Sequence, residues 1–142
     1  MIRFVIPGPA VGKGRPRASS IGGGIRLYTP AKTVEYENEI KVLAKTAMLV
    51  AGRQAPSSAP ISAEVWVMVA PPKSMSRKKQ LMAFEGDIFP TTKPDLDNVA
   101  KAILDACNHI VYEDDKQVID LVIRRRYAQT PGVMVYLSEV LV

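Results

Sequence analysis

Two acidic pairs flank one short amphipathic stretch of this chain: Asp95 and Asp97 in the run Asp95-Leu96-Asp97-Asn98, then Asp114-Asp115, with Lys101 between them. Crowded carboxylates raise one another's energy, so a soluble protein either spaces them or gives them a cation. The chain has one cysteine, Cys107, and one histidine, His109, which cannot build a structural zinc site. Any metal must therefore be held by oxygen, and oxygen ligands favour Mg²⁺ or Mn²⁺. A cation held this way can grip phosphate oxygens and acidify a water for in-line attack. Lys101 would then stabilise charge on the phosphate or orient the water. An acidic metal centre in a basic frame is what cutting a nucleic-acid backbone requires.

Each feature alone has a plainer account. A lone Asp before a helix is usually a cap, and an i,i+4 Asp–Lys pair is usually surface decoration. Asp114-Asp115 by itself is a turn. Convergence is what favours chemistry. Pro94 holds its neighbours extended, so Asp95 and Asp97 are expected to project to one side. A helix from about Asp97 to Cys107 should pack beside the strand after Asp115, and its start is expected to meet that strand's start. Asp105 continues the polar face of this helix, farther from the first pair.

The positioning elements follow from periodicity. Ile2, Phe4 and Ile6 alternate with Arg3 and Val5, a half-buried strand ending at Pro7. Gly8 to Gly24 is rich in Gly, Pro, Ser and basic residues and reads as a long mobile loop. Thr29-Pro30 starts a helix with a hydroxyl cap, and Tyr36, Ile40, Leu43 and Ala47 give it a buried face ending near Val50. Ile61 to Val69 alternates as a strand stopped by Pro71-Pro72. Ser76 caps a short basic helix to Glu85. Leu96, Val99, Ala100, Ile103, Leu104 and Cys107 form the stripe of the second main helix, and Asn108 suits a left-handed residue after it. Gln117–Tyr127 and Val133–Leu141 read as strands of an antiparallel hairpin. The order predicts a single domain, 1–142, of α+β class: a mixed β-sheet with two main helices packed on it.

Composition sets outer bounds. With 142 residues and a net charge of +5, the chain supports one core and has no apolar run of membrane-span length. Met1-Ile2-Arg3-Phe4 reads as the entry to a strand rather than as a signal peptide, and a single cysteine is expected of a reducing cytoplasm. Charge is segregated: Met1 to Val34 holds six basic residues and no acid, while seven of the fourteen acids lie between Asp95 and Asp120. Lys73, Arg77, Lys78 and Lys79 form a second basic cluster and Arg124-Arg125-Arg126 a third. That segregation favours a polyanion partner. Gly12-Lys13-Gly14 lacks P-loop spacing and the Ser/Thr that would hold Mg²⁺, so no nucleotide cofactor is expected. Lys13, Arg15 and Arg17 instead suit contacts to DNA phosphates. Tyr28, Trp66 and Tyr127 could stack on bases, though Trp66, in a strand, better suits a core or dimer contact.

Lys93-Pro94-Asp95-Leu96-Asp97-Asn98, then Lys101, then Val111-Tyr112-Glu113-Asp114-Asp115-Lys116-Gln117-Val118 resembles the signature of the RusA family of Holliday-junction resolvases. Gly12 to Arg17 resembles the basic loop of many phage-borne members, and Tyr28-Thr29-Pro30, Thr33 and Tyr36-Glu37 resemble their first helix. The resemblance implies a homodimeric, Mg²⁺-dependent endodeoxyribonuclease that nicks opposed strands of a four-way junction in recombination and repair. Mn²⁺ would substitute. It assigns metal binding to Asp95, Asp97 and Asp115, with Asp114 beside them, and a catalytic lysine to Lys101. Two symmetric cuts and one acidic centre per chain independently favour a two-fold dimer. A bacterial cytoplasm and a phage or prophage origin are the expected setting. One departure stands out: Pro94 occupies the position before the acidic block where a basic residue is usual, leaving Lys93 to make a DNA contact there. His109 stands where a glycine is often found. The rival expectations are a non-catalytic junction-binding protein and a metal-dependent nuclease of other branched or single-stranded DNA.

Overall fold

Strict alternation turns half of each central strand into core. In the computed structural model, which describes residues 1–141, β1 (Ile2–Pro7) buries Ile2, Phe4 and Ile6. The strand β4 (Ile61–Val69) buries Ile61, Ala63, Val65 and Val67, and β6 (Gly132–Glu139) buries Val133, Val135 and Leu137. These residues share one face, as the two-residue period of a strand demands. That face is covered by two helices, α1 (Ala31–Val50) and α3 (Leu96–Ala106), lying side by side. Tyr36, Ile40, Ala44 and Met48 of α1 and Val99, Ala102, Ile103 and Ala106 of α3 complete the core. The expected α+β domain with two main helices is observed; position 142 lies outside the described residues.

The sheet order is β1-β6-β4-β5, with β5 (Val118–Tyr127) at one edge. β6 runs antiparallel to both β1 and β4, while β5 runs parallel to β4. The expected β5–β6 hairpin is therefore absent: β4 lies between the two strands. Ala128 to Pro131 steps across its end, held by Ala128 N–H donating to Val69 O at 2.9 Å. The Gln-Thr-Pro-Gly segment lacks the Asn-Gly or Asp-Gly pair of a two-residue hairpin. Four residues easily span the roughly 10 Å of two strand spacings.

Other local expectations shift in instructive ways. Gly8–Gly24 is not featureless, because β2 (Arg17–Ser19) pairs with β3 (Arg26–Tyr28) in a small two-stranded ribbon. Thr29 does not cap α1; Pro30 holds that position without a side-chain bond. Ser76 does cap α2 (Arg77–Phe84), accepting from Lys79 N–H. After α3 the left-handed residue is His109 (φ 66), not Asn108. Glycine adopts that conformation without steric cost, whereas His109 does so against its Cβ.

Candidate active site

The first acidic pair sits where α3 begins. Asp95 is the residue before the helix, in extended backbone, and its carboxylate makes no capping bond. The common structural use of an Asp at this place is thus unfilled, and the carboxylate is free for a ligand. Asp97 already lies in the first helical turn, so strand alternation does not set its direction. The N–H groups of that turn favour its negative charge. Arg125 of β5 donates to the carbonyls of Thr92 and Pro94, fastening the segment that leads into Asp95. The Lys93–Pro94 peptide is cis. Beside it opens a groove lined by Lys13, Lys32, Lys93, Asp95 and Asn98. With the Lys13 ammonium engaged elsewhere, Lys32, Lys93 and the Asp95 carboxylate are the charged groups that would meet a phosphodiester there.

The second pair divides its labour. Asp114 caps the single 3-10 turn Asp115–Gln117: its carboxylate accepts from Lys116 N–H at 2.9 Å, and Gln117 reaches back to Asp114 N–H. The Lys116 N–H, with smaller help from neighbouring charges, holds the Asp114 carboxyl below the usual range. Gln117 also donates to the carbonyls of Ser57 and Ala59, pinning the turn to the connector before β4. Asp115 is left for chemistry. Partial burial, then the adjacent carboxyls of Asp105 and Asp114, push its carboxyl up. Asp105 thus lies near enough to act on Asp115, an arrangement that a proton or a cation would relieve.

Asp105 is the residue the sequence undervalued. Lys101 pairs with it at 3.7 Å, one turn ahead rather than one turn back to Asp97. Lys13 reaches it at 3.3 Å. Its spacing of four from Lys101 was the available signal, since such positions share a helix face. With 63 % of its side chain exposed, Lys101 keeps enough freedom to turn toward a bound phosphate.

The expected meeting of helix start and strand start does not occur. Asp105, at the end of α3, meets Asp115 at the beginning of β5. Pro94, before α3, meets Arg125 near the end of β5. The helix therefore runs opposite to the strand, and ten residues of helix, about 15 Å, separate Asp95 from Asp105. Among the described residues no three His, Cys, Asp or Glu side chains converge as a ready metal cage.

Lys13 has its own occupation. Its ammonium bonds Glu37 of α1 at 2.5 Å as well as Asp105 of α3. Partial burial alone would lower its pKa; the bonds to Glu37 and Asp105 outweigh that and raise it. The backbone agrees: Lys13 N–H donates to Asn98 O at 2.8 Å, and Gly14 N–H to Thr33 Oγ1 at 2.9 Å. A methyl on Gly14 would stand 2.8 Å from Pro30 Cγ, so the chain passes here only as glycine. This stretch staples α1 to α3. Lys13→Met should leave Glu37 without its partner and Asp105 with Lys101 alone, at a cost of about 1 kcal/mol, kept small because solvent reaches the site. Urea unfolding should show a lower midpoint with an unchanged slope.

Arg15 and Arg17 are exposed or nearly so, beyond the staple and at the base of the β2–β3 ribbon. Trp66 lies on the helix-free sheet face under Arg124 and Arg126, whose guanidinium carbons stand 5.0 and 5.9 Å from its ring centre. Cys107 is buried, with its thiol pushed up to about 12, and is unreactive. No helix among the described residues is long and apolar enough to cross a membrane.

Comparison with known proteins gives the family. Over 144 aligned residues the chain is 39% identical to the uncharacterized protein YqaN of Bacillus subtilis (strain 168), covering 98% of this chain and 96% of that one. The family model described as endodeoxyribonuclease RusA matches residues 7–138, from the end of β1 to the end of β6, and so takes in both acidic pairs, Lys101 and the staple. The chain belongs to the RusA endodeoxyribonuclease family.

Proposed function

We propose that this chain is a metal-dependent endonuclease that resolves four-way DNA junctions by paired nicks, acting as a homodimer. One observation carries the proposal. The Asp95 carboxylate, free of any capping bond, stands on the rim of a groove whose other charged residues are Lys13, Lys32 and Lys93. A structural acid would be capped or paired; a free acid beside lysines suits phosphate chemistry.

The donor set fits a hard divalent cation, because it offers only carboxylate oxygens, two of them already in like-charge contact at Asp105 and Asp115. Asp115, with Asp105 near it, would hold Mg²⁺ or Mn²⁺ at one end of α3, while Asp95 and Asp97, about 15 Å away at its start, would serve as a separate carboxylate pair. When bound, such an ion supplies a Lewis acid and a water acidified for attack. The protein's own parts do the rest. Lys101 faces developing charge on the phosphate, Lys93 and Lys32 hold the backbone in the groove, and Lys13 keeps the two helices in register. Arg15 and Arg17 extend the basic surface along the ribbon, where they would follow a DNA arm. A junction-binding protein without catalysis remains the rival, and it requires these acids to serve only as caps; Asp114 does so, while Asp95 does not.

Purified protein incubated with a labelled four-way junction should cut it with Mg²⁺, lose cutting with EDTA, and lose it in Asp97→Asn. Tight binding with no cut under any metal would leave the rival. Replacing Arg15 and Arg17 together by Gln should weaken junction binding and flatten its salt dependence by about two phosphate contacts. Unchanged binding would remove the ribbon from the DNA interface.

A further inference from the structure

The sheet ends at β5 in an unfinished edge. This ten-residue strand pairs on one side only, with β4, so its outward backbone groups have no ladder partner. Long apolar edges recruit strands, and monomeric proteins blunt them. Here the first half of the edge is apolar on both faces, around the single acid Asp120: Ile119 is 58 %, Leu121 45 % and Val122 42 % exposed. The opposite edge, β1, is shorter and closes with Pro7.

We infer that the β5 edge is where two copies of this chain join, strand to strand and antiparallel about Val122, an interface that rests on the dimeric reading above. Charge selects this occupant. The strand carries an acid, Asp120, in its first half and arginines Arg124 to Arg126 in its second. A two-fold axis normal to the sheet places residue 122 opposite itself and 120 opposite 124. Asp120 then stands across from the partner's Arg124, twice by symmetry. Leu121 stands across from the partner's Ile123, again twice, and Val122 meets its own copy. Opposite charges and apolar pairs across strands are stabilising. A parallel pairing would instead set the arginines against arginines.

The arrangement also has a consequence for the acids. In an antiparallel pair the beginning of β5 in one copy lies along the end of β5 in the other. By that register Ile119 stands across from the partner's Arg125, so the Asp114-Asp115 turn of one copy lies beyond it, past the end of the partner's β5. Acids that α3 holds at opposite ends within one chain are brought to the same end of the joined strands, in two equivalent places.

Cysteine crosslinking tests the axis without using nuclease activity. Val122→Cys places two thiols at cross-strand spacing, about 4.5 to 5.5 Å between Cα atoms, within disulfide range. Native Cys107 is buried and stays silent. Mild oxidation should yield a covalent dimer from Val122→Cys, at least tenfold faster than from Ile119→Cys on the same strand. Light scattering should give a dimer for the parent chain, a monomer for Asp120→Arg, and a dimer again for Asp120→Arg with Arg124→Asp. A monomeric parent chain overturns the inference. So does a dimer that is indifferent to Asp120→Arg and gives no crosslink in Val122→Cys. A β5 dimer that never cuts a junction would sustain the interface and refute the nuclease.

Discussion

Asp115→Asn should abolish junction cleavage while the protein still folds and still binds its substrate. An amide is nearly isosteric with the carboxylate but carries no charge, so it is a poor ligand for a hard cation. If that cation supplies several kcal/mol of transition-state stabilisation, the rate should fall about a thousandfold or more. The turn itself survives, because its cap is Asp114 and its anchor is Gln117. The variant should also be at least as stable as the parent without metal, since it removes a carboxylate pressed against Asp105 and Asp114. A site that costs stability is a common mark of function. Asp114→Asn is the informative control: Asn caps about as well as Asp, so cleavage should fall far less. Full activity in Asp115→Asn would remove Asp115 from the centre. Equal losses in both variants would make the effect one of turn structure.

Tyr112→Ala should be the most damaging single change to the fold near the site. Tyr112 is fully buried, and its hydroxyl donates to Leu104 O at 2.6 Å, tying the end of α3 to the segment carrying Asp114 and Asp115. Its carbonyl accepts from His109 N–H at 2.7 Å, closing the bend between them. Truncating a buried aromatic leaves a cavity and costs about 3–5 kcal/mol. For a domain of this size that lowers the melting temperature by roughly 10–20 °C. Tyr112→Phe keeps the ring and loses only the hydrogen bond, about 1 kcal/mol. Calorimetry separates the cases: near-equal losses in the two variants would show the hydroxyl, not the packed ring, to be what matters.

Strand existence and helix existence were legible because they depend on local period. Ile2, Phe4 and Ile6 or the stripe of α3 point one way regardless of partner. Strand order was not legible, since the same run Val118–Tyr127 can pair with β6 or lie beside β4. The parallel edge it forms is settled by what α3 covers and by a connection long enough to cross. The short ribbon β2–β3 escaped for a related reason: three-residue strands carry no period, and the intervening glycines read as disorder.

Residue types at the site were legible and their arrangement was not. Asp95, Asp97, Lys101 and Asp115 stand out by composition alone. Which end of α3 lies against Asp115 depends on the helix's direction over the sheet, and no spacing within the helix reveals that. Asp105 was passed over on this account, although it is the acid that reaches Asp115. Lys13 shows the converse. A glycine-flanked lysine in a basic run looks like a phosphate contact, yet Glu37 and Asp105 come from two helices that only the fold brings beside it.

Mapping the nicks on all four strands of a synthetic junction in Mg²⁺ tests the central claim most directly. The account predicts two cuts, at symmetry-related phosphates on opposed strands, absent in EDTA and absent from a linear duplex of the same sequence. A junction bound and left whole, or a linear duplex cut as readily as the junction, would contradict it.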